Sequence, residues 1–238
     1  MLFNNRQDAG QKLALKLEQY VAQLPDADKN AEFLVVGLPR GGVPVALEVA
    51  RRICCPLEII VAKKLPFPNQ PEYAIGAVSS GGIFVISPDI PQSRSWREYI
   101  DQQRKHLLMQ TQKREDEFYV LAGRYRSSFV NKVVIIVDDG VATGMTAMAA
   151  AEAAKQRGAR RVIMSAPVMS TNSFSQLKKV CDDVVACYVP IQFNCVGENY
   201  VEFFETSNEE VVKALAESNN FHNCAGLISK ASEKKTGT

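Results

Sequence analysis

One stretch of the sequence, from Val133 to Ala147, constrains the fold more than any other. It begins with five consecutive valine and isoleucine residues, a pattern typical of a strand buried on both faces in a parallel sheet. Two carboxylates follow at Asp138 and Asp139. A turn of small and hydroxylated residues then leads into an alanine-rich helix that ends before Gly158. A buried strand joined to a helix by a short turn predicts an α/β domain.

The turn between strand and helix has the chemistry of a phosphate site. Gly140 and Gly144 allow backbone conformations that other residues resist, and Thr143 and Thr146 place hydroxyls beside the first N–H groups of the helix. A helix start combines unpaired N–H donors with the positive end of the helix dipole. Carboxylates would repel a bare phosphate, so we expect them to face sugar hydroxyls or Mg²⁺ on the same ligand. A phosphorylated sugar with a free diol satisfies both sets of residues.

The sequence Asp-Asp-Gly-Val-Ala-Thr-Gly-Met-Thr after this strand resembles the phosphoribosyl pyrophosphate (PRPP) motif of the type I phosphoribosyltransferases. The resemblance implies that Asp138 and Asp139 bind the ribose hydroxyls and act as catalytic residues. It also implies that the turn binds the 5′-phosphate, with these candidate residues: Gly140, Val141, Ala142, Thr143, Gly144, Met145 and Thr146. The alternative is an ordinary strand-to-helix turn with an acidic surface loop. Two other phosphate loops are excluded, because neither G-x-x-x-x-G-K-[ST] nor G-x-G-x-x-G is present.

A second candidate loop, Arg40-Gly41-Gly42, follows a buried strand predicted over residues 33–38. The glycines let the backbone approach a ligand closely, and Arg40 adds a charge-assisted donor. By the same resemblance this is the pyrophosphate loop. A lone Arg-Gly-Gly also suits a tight turn between strand and helix. Because parallel strands present such loops at one edge of a sheet, we expect this loop to lie beside the Asp-Asp motif.

A lysine pair, Lys63 and Lys64, follows an apolar strand predicted over residues 56–62. Such a pair is usually solvated, but here we expect the strand to deliver both side chains to the same sheet edge. The resemblance implies that one of them contacts pyrophosphate and is catalytic, without indicating which. Residues 65–82 are rich in proline and glycine and are predicted to form a mobile lid. Within this region, residues 74–78 and 83–87 can pair as a short hairpin.

Strands alternate with helices along most of the chain, which predicts an α/β fold with a mainly parallel central sheet flanked by helices. The resemblance specifies the type I phosphoribosyltransferase fold with a lid hairpin and a small hood. We expect one domain over residues 1–226 and a disordered tail over residues 227–238. The parts of the domain are a core at about 31–190, a hood formed by 6–24 and 190–220, and an inserted helix at about 93–124.

Composition limits the kinds of partner. A net charge of +2 in 238 residues gives no reason to expect nucleic acid or a membrane surface as a partner. No apolar run has transmembrane length, and the N-terminal residues lack the pattern of a secretory signal, so cytoplasmic localisation is expected. His106 and His222 are far apart in the sequence and give little support to a histidine-based metal site.

The resemblance implies an enzyme that transfers the 5-phosphoribosyl group from PRPP to a nitrogenous base or related ring, with release of pyrophosphate. Mg²⁺ is the expected cofactor, bound through PRPP, with Asp138 and Asp139 as its candidate protein contacts. A homodimer is expected by family analogy. The alternative is a non-catalytic PRPP- or nucleotide-binding regulatory protein. A DNA-binding repressor is disfavoured, because residues 1–30 contain no strong basic patch. The sequence does not identify the acceptor.

Overall fold

A computed structural model describes residues 2–68, 70–87, 90–91 and 93–223 of the chain. The tail predicted over residues 227–238 lies outside the described residues. The strands are β1 (Phe33–Gly37), β2 (Leu57–Ile59), β3 (Ala62–Phe67), β4 (Gln70–Ser79), β5 (Phe84–Ile86), β6 (Val133–Val137), β7 (Arg161–Val168) and β8 (Asp183–Tyr188). The helices are α1 (Arg6–Val21), α2 (Asp26–Lys29), α3 (Gly42–Ile53), α4 (Arg94–Leu121), α5 (Met145–Gln156), α6 (Thr171–Leu177) and α7 (Asn208–Glu217).

Five parallel strands form the central sheet in the order β2-β1-β6-β7-β8. All five residues of β6 are buried, and alternate side chains pack on opposite faces of the sheet. Val133, Ile135 and Val137 join a core with α1 and α3, whereas Val134 and Ile136 join a core with α5. The uninterrupted apolar run of β6 therefore reflects a strand covered by helices on both sides. The predicted α/β fold with a mainly parallel sheet is confirmed.

A second sheet contains three antiparallel strands in the order β3-β4-β5. The predicted hairpin is confirmed, with Gly76 opposite Ile86 and Val78 opposite Phe84. The prediction of one continuous strand over residues 56–62 was wrong, because the chain leaves the central sheet after Ile59 and enters the second sheet at Ala62.

The prediction of a loop over residues 65–82 was wrong, because most of this segment lies in β3 and β4. Its role as a lid stays a prediction. Leu65, Ile75 and Val78 pack into a separate apolar cluster with Leu107 of α4, and all four are buried. Burial of these side chains stabilises the second sheet against the long helix. The proline and glycine content that suggested a loop is accommodated by register shifts in the pairing of β3 with β4.

The long helix predicted over residues 93–124 is present as α4, and its last turns cover the outer edge of β2. Tyr119 accepts a hydrogen bond from Ile59 N at 3.3 Å, and a carboxylate oxygen of Glu115 accepts one from Val61 N at 3.0 Å. Arg124, just beyond the helix, donates to the carbonyl oxygen of Leu57 at 2.8 Å. These side chains satisfy backbone groups that would otherwise be unpaired at the edge of the sheet.

Candidate active site

The loops after β1 and β6 meet at the carboxyl edge of the central sheet, as predicted. Leu38 N donates to Val137 O at 2.9 Å and ties the two loops together. A Cβ atom at Gly41 would collide with the carboxylate of Asp139, and one at Gly42 would lie 2.7 Å from Val137 O. Glycine at these positions therefore lets the Arg-Gly-Gly loop pack against the Asp-Asp motif. The peptide bond between Pro39 and Arg40 is cis.

The two aspartates are partly buried and have few hydrogen-bond partners among the described residues. Asp138 accepts from the backbone N–H of Asp139 at 2.9 Å, and Asp139 accepts from Arg6 Nε at 2.8 Å. Burial raises the pKa of Asp138 well above its usual range, and repulsion by the Asp139 carboxylate adds to this. Burial also raises the pKa of Asp139, although Arg6 acts in the opposite direction. These are carboxylates that would gain from a ligand bearing hydroxyls or a cation.

The candidate phosphate turn leads into α5 through Gly144, whose φ of +79° is in the left-handed region that favours glycine. Gly144 provides no side-chain cap for the helix, so the first-turn N–H groups have no capping acceptor from that residue. Ser170 Oγ donates to Ala142 O at 2.7 Å, and Ser173 Oγ donates to Val141 O at 3.1 Å. The turn is thus held from behind by α6, and the uncapped helix start suits an anion.

The two lysines are adjacent on β3, so their side chains lie on opposite faces of the strand. Lys64 is close enough to Asp138 to lower the pKa of that carboxyl, against the larger effect of burial. Lys63 Nζ instead donates to Gln110 Oε1 of α4 at 2.9 Å. Lys63 also lines a cleft of about 560 Å³ together with Arg40, Lys113 and Arg114. The structure therefore brings Lys64 to the aspartate pair and turns Lys63 toward the long helix.

Residues of the predicted hood also reach the site, and their individual contacts were not foreseen from the sequence. Tyr200 Oη donates to Asp139 O at 2.6 Å, and the guanidinium of Arg6 lies over the Phe203 ring, 4.0 Å from its centroid. Glu205 forms an ion pair with Arg40. In the sequence, the aromatic residues Phe193, Tyr200, Phe203 and Phe204 suit either a hood that stacks on a base or an ordinary core. Nothing in the sequence marked Arg6, which is simply the first residue of an amphipathic helix.

No group of three or more histidine, cysteine, aspartate or glutamate side chains within the described ranges is placed to hold a metal ion. In the same part of the chain, no helix combines the length and apolar character needed to cross a bilayer. The aspartate pair offers hard oxygen ligands at the site, which fits a Mg²⁺ ion whose other ligands come from a phosphorylated substrate.

The chain is similar to known proteins over most of its length. Residues 7–202 match the family model described as "Phosphoribosyl transferase domain". Over 233 residues the chain is 36% identical to the Mycobacterium tuberculosis (strain H37Rv) protein named "Putative phosphoribosyl transferase Rv0571c". That match covers 98% of this chain and 50% of the relative, so the chain spans about half the length of the curated relatives it matches.

Two further proteins are similar to this chain. The crystal structure of TT1426 from Thermus thermophilus superimposes with a TM-score of 0.74 at 35% identity, covering 91% of this chain and 99% of that chain. A 60-residue stretch is 48% identical to the ribose-phosphate pyrophosphokinase of Buchnera aphidicola subsp. Schizaphis graminum, covering 24% of this chain and 19% of that protein. The first covers nearly the whole fold, and the second covers a short segment.

Proposed function

The chain belongs to the phosphoribosyl transferase domain family, and from this membership and its site we propose that it transfers the 5-phosphoribosyl group of PRPP to a nitrogenous base or related ring, releasing pyrophosphate. One observation supports this most. Two under-partnered aspartates, an arginine-glycine-glycine loop and an uncapped helix start lie together at the carboxyl edge of a parallel sheet. Ligands of such sheets bind at this edge.

The parts of PRPP match the parts of the site in order. Asp138 and Asp139 accept hydrogen bonds from the ribose hydroxyls. The 5′-phosphate occupies the turn at 141–146 and the start of α5. The pyrophosphate lies against the loop at 39–42, where backbone N–H groups, Arg40 and Lys64 supply positive charge.

In the reaction, the bond between ribose C1 and the pyrophosphate oxygen breaks, the leaving group takes the electron pair, and a ring nitrogen of the acceptor bonds to C1. The protein contributes by holding the reactants in line and by stabilising the charge that develops on pyrophosphate. Mg²⁺ bound through PRPP, with Asp138 and Asp139 as its candidate protein ligands, would supply further charge neutralisation.

A non-catalytic PRPP-binding protein is the second candidate, and one observation favours it. The region predicted as a mobile lid, residues 65–82, instead contributes to a sheet packed on α4. In enzymes that act on reactive substrates, a closing lid excludes water and so limits hydrolysis of the substrate. If this hairpin stays fixed against α4, the site would remain open to water, which would favour a protein that senses PRPP without turning it over.

Pyrophosphate release from PRPP and Mg²⁺, measured across a panel of purines, pyrimidines and related rings, tests the enzymatic proposal. We expect release that depends on one class of acceptor. The double variant Asp138→Asn and Asp139→Asn should lose PRPP binding in calorimetry while remaining folded. Asp101→Asn, on the exposed face of α4, is the matched control and should bind normally. PRPP binding without turnover across the panel would favour the sensor, and unchanged affinity in the double variant would overturn the ribose assignment.

Homodimer formation, a cytoplasmic location and the absence of nucleic-acid and membrane partners remain predictions. Sedimentation with and without PRPP tests the oligomeric state. Fractionation of the source cells tests location, and retention on immobilised DNA, RNA or vesicles tests the excluded partners.

A further inference from the structure

Arg6 occupies an unusual position between the candidate ribose site and the hood. It is the first residue of α1, where a cation opposes the positive end of the helix dipole. Its side chain is only 14% exposed, and so is that of its partner Asp139. Burying a cation at a helix start is unfavourable unless something compensates it. Helix stability therefore does not explain this arginine, and its contacts must.

The contacts of Arg6 leave much of its hydrogen-bonding capacity unused. A guanidinium has five N–H donors. Arg6 Nε donates to Asp139, and Arg6 Nη1 donates to the carbonyl oxygen of Phe204. Within the described ranges no other acceptor takes a hydrogen bond from this side chain, so three donors remain for a ligand. Arginine presents such donors as a planar fork that matches a carboxylate.

Binding of the donor increases the need for an anion beside Arg6. Ribose hydroxyls and a cation bound at the aspartate pair would also interact with the Asp139 carboxylate. The interaction between Asp139 and Arg6 would then be weaker. The pyrophosphate has its own cations on the other loops, Arg40 and Lys64. Five glutamates line the cleft that Arg6 borders: Glu48, Glu202, Glu205, Glu210 and Glu217. Four of them have partners of their own, since Glu48 and Glu217 pair with Arg51, Glu205 pairs with Arg40 and Glu210 accepts from Ser207 N. Glu205 is 78% exposed and can be solvated when it leaves Arg40. With PRPP placed as proposed, the acceptor would approach C1 from the hood side.

The hood side of Arg6 is a column of aromatic rings that are tilted against one another by 39° and 32°. Phe3 and Tyr200 have ring centroids 5.4 Å apart, and Tyr200 and Phe203 have centroids 4.9 Å apart. The guanidinium of Arg6 caps the column over Phe203. This arrangement fixes the plane of the guanidinium and keeps its N–H edges available, as a site for a flat ring with an anionic substituent requires.

We propose that the acceptor is a nitrogen heterocycle bearing a carboxylate, and that Arg6 binds this carboxylate and so selects the acceptor. This proposal rests on the proposed function, because it requires PRPP to occupy the aspartate pair. It extends that function by giving the chemical class of the second substrate.

The test compares ring pairs that differ by the anionic group: orotate with uracil, and nicotinate with nicotinamide. Two readouts are used for each ring, pyrophosphate release and calorimetric binding to protein loaded with PRPP and Mg²⁺. The wild-type protein should prefer the carboxylated member of at least one pair by tenfold or more. Arg6→Gln should weaken binding of the carboxylated ring by roughly 10- to 100-fold, as expected for loss of a buried charged partner. Binding of the neutral ring should change by less than about threefold. Arg6→Lys should retain part of the preference.

The matched control is Arg94→Gln, which removes another arginine from the first position of a helix, in this case one that is 92% exposed. It should leave both ring preferences unchanged. PRPP affinity of Arg6→Gln should not fall, because the variant removes a competitor for Asp139. A fall in PRPP affinity equal to the loss at the acceptor would assign Arg6 to the donor and overturn the proposal.

Other outcomes separate this proposal from the function on which it rests. Equal use of neutral and carboxylated rings by the wild-type protein overturns the role of Arg6 and leaves the transferase intact. Glu205→Gln should leave the ring preference unchanged. A new preference for carboxylates in that variant would show that Glu205 neutralises Arg6 in the loaded protein, which also overturns the proposal. If the wild-type protein does not bind PRPP, the proposed function itself fails.

Discussion

Two pairs of buried carboxylates behave differently in this protein. Glu58 and Glu115, at the edge of the central sheet, are 0% and 2% exposed, and each accepts four hydrogen bonds. The carboxylates of Asp138 and Asp139, at the carboxyl end of β6, accept one hydrogen bond each among the described residues. The edge pair is fully satisfied by the fold. The site pair retains capacity that only a ligand can fill.

The partners of the edge pair show what a structural carboxylate requires. Glu58 is held by Tyr119, Ser127 and Arg124, and the Arg124 side chain is itself 5% exposed. Buried charges are tolerated when they are paired and hydrogen-bonded. Asp138 has no cationic hydrogen-bond partner among the described residues and Asp139 has Arg6 alone, so burial still raises the pKa of both aspartates.

The largest expected loss of stability that tests this difference between the two carboxylate pairs is at the edge pair. Glu58→Gln leaves the buried guanidinium of Arg124 without a carboxylate and should lower the free energy of unfolding by about 3–5 kcal/mol. Urea denaturation followed by circular dichroism measures the loss. Glu98→Gln, which breaks the exposed pair with Arg94, is the control and should cost about 1 kcal/mol or less. Equal losses of unfolding free energy in the two variants would show that the buried edge pair is no more important for stability than an exposed pair.

Lys64 tests whether the site pair depends on a nearby cation. Lys64→Gln should weaken PRPP binding by about tenfold, or roughly 1.4 kcal/mol, since it removes a charge near both Asp138 and the pyrophosphate loop. Lys63→Gln should have a smaller effect, because that side chain is bonded to Gln110. Calorimetry with PRPP and Mg²⁺ measures both. The reverse order of effects would assign the site lysine to position 63.

Asp138→Asn should stabilise the folded protein by about 1 kcal/mol near neutral pH while impairing PRPP binding. The substitution removes a buried charge with few partners, whereas loss of either glutamate in the edge pair is destabilising. Urea denaturation of the unliganded protein is the measurement. Asp101→Asn serves again as the exposed control. A stability loss at Asp138 comparable to that at Glu58 would show that the site pair is also structural.

The smallest effect is the pH dependence of that stability difference. The folded protein retains the Asp138 proton to higher pH than the unfolded chain does, because burial raises its pKa above the ordinary value of 3.8. The stability contributed by this group is therefore present below the unfolded pKa and is lost as pH rises through the folded pKa. The advantage of Asp138→Asn over wild type should grow with pH and then level off. If Asp138→Asn were more stable than wild type by the same amount in acid and at neutral pH, the raised pKa of Asp138 would be contradicted.

The parallel sheet and the aspartate motif were predictable because their signals are local. An uninterrupted Val/Ile run followed by two carboxylates and a glycine-rich turn can be recognised within fifteen residues of sequence. The alternation of strands and helices then fixes the class of fold.

Other features depend on contacts between distant residues. Arg6 and Asp139 are separated by 133 positions, and a single arginine at a helix start carries no signal of such a partner. The single apolar strand predicted over residues 56–62 contains the point where β2 ends and β3 begins. The composition of this segment does not reveal that its two parts belong to different sheets. Register with strands elsewhere in the chain decides where that strand divides.

The covering of the β2 edge by α4 also has a consequence for aggregation. Tyr119 of α4 and Arg124 just beyond it bond the outward backbone groups of β2, and Glu115 of α4 bonds Val61 N after the strand. At this edge these backbone groups are therefore not offered to another molecule. A proteolytic cut or a misfolding event that detached the end of α4 would uncover those backbone groups and create a template for strand pairing between molecules. We therefore expect the long helix to limit strand pairing between molecules at this edge.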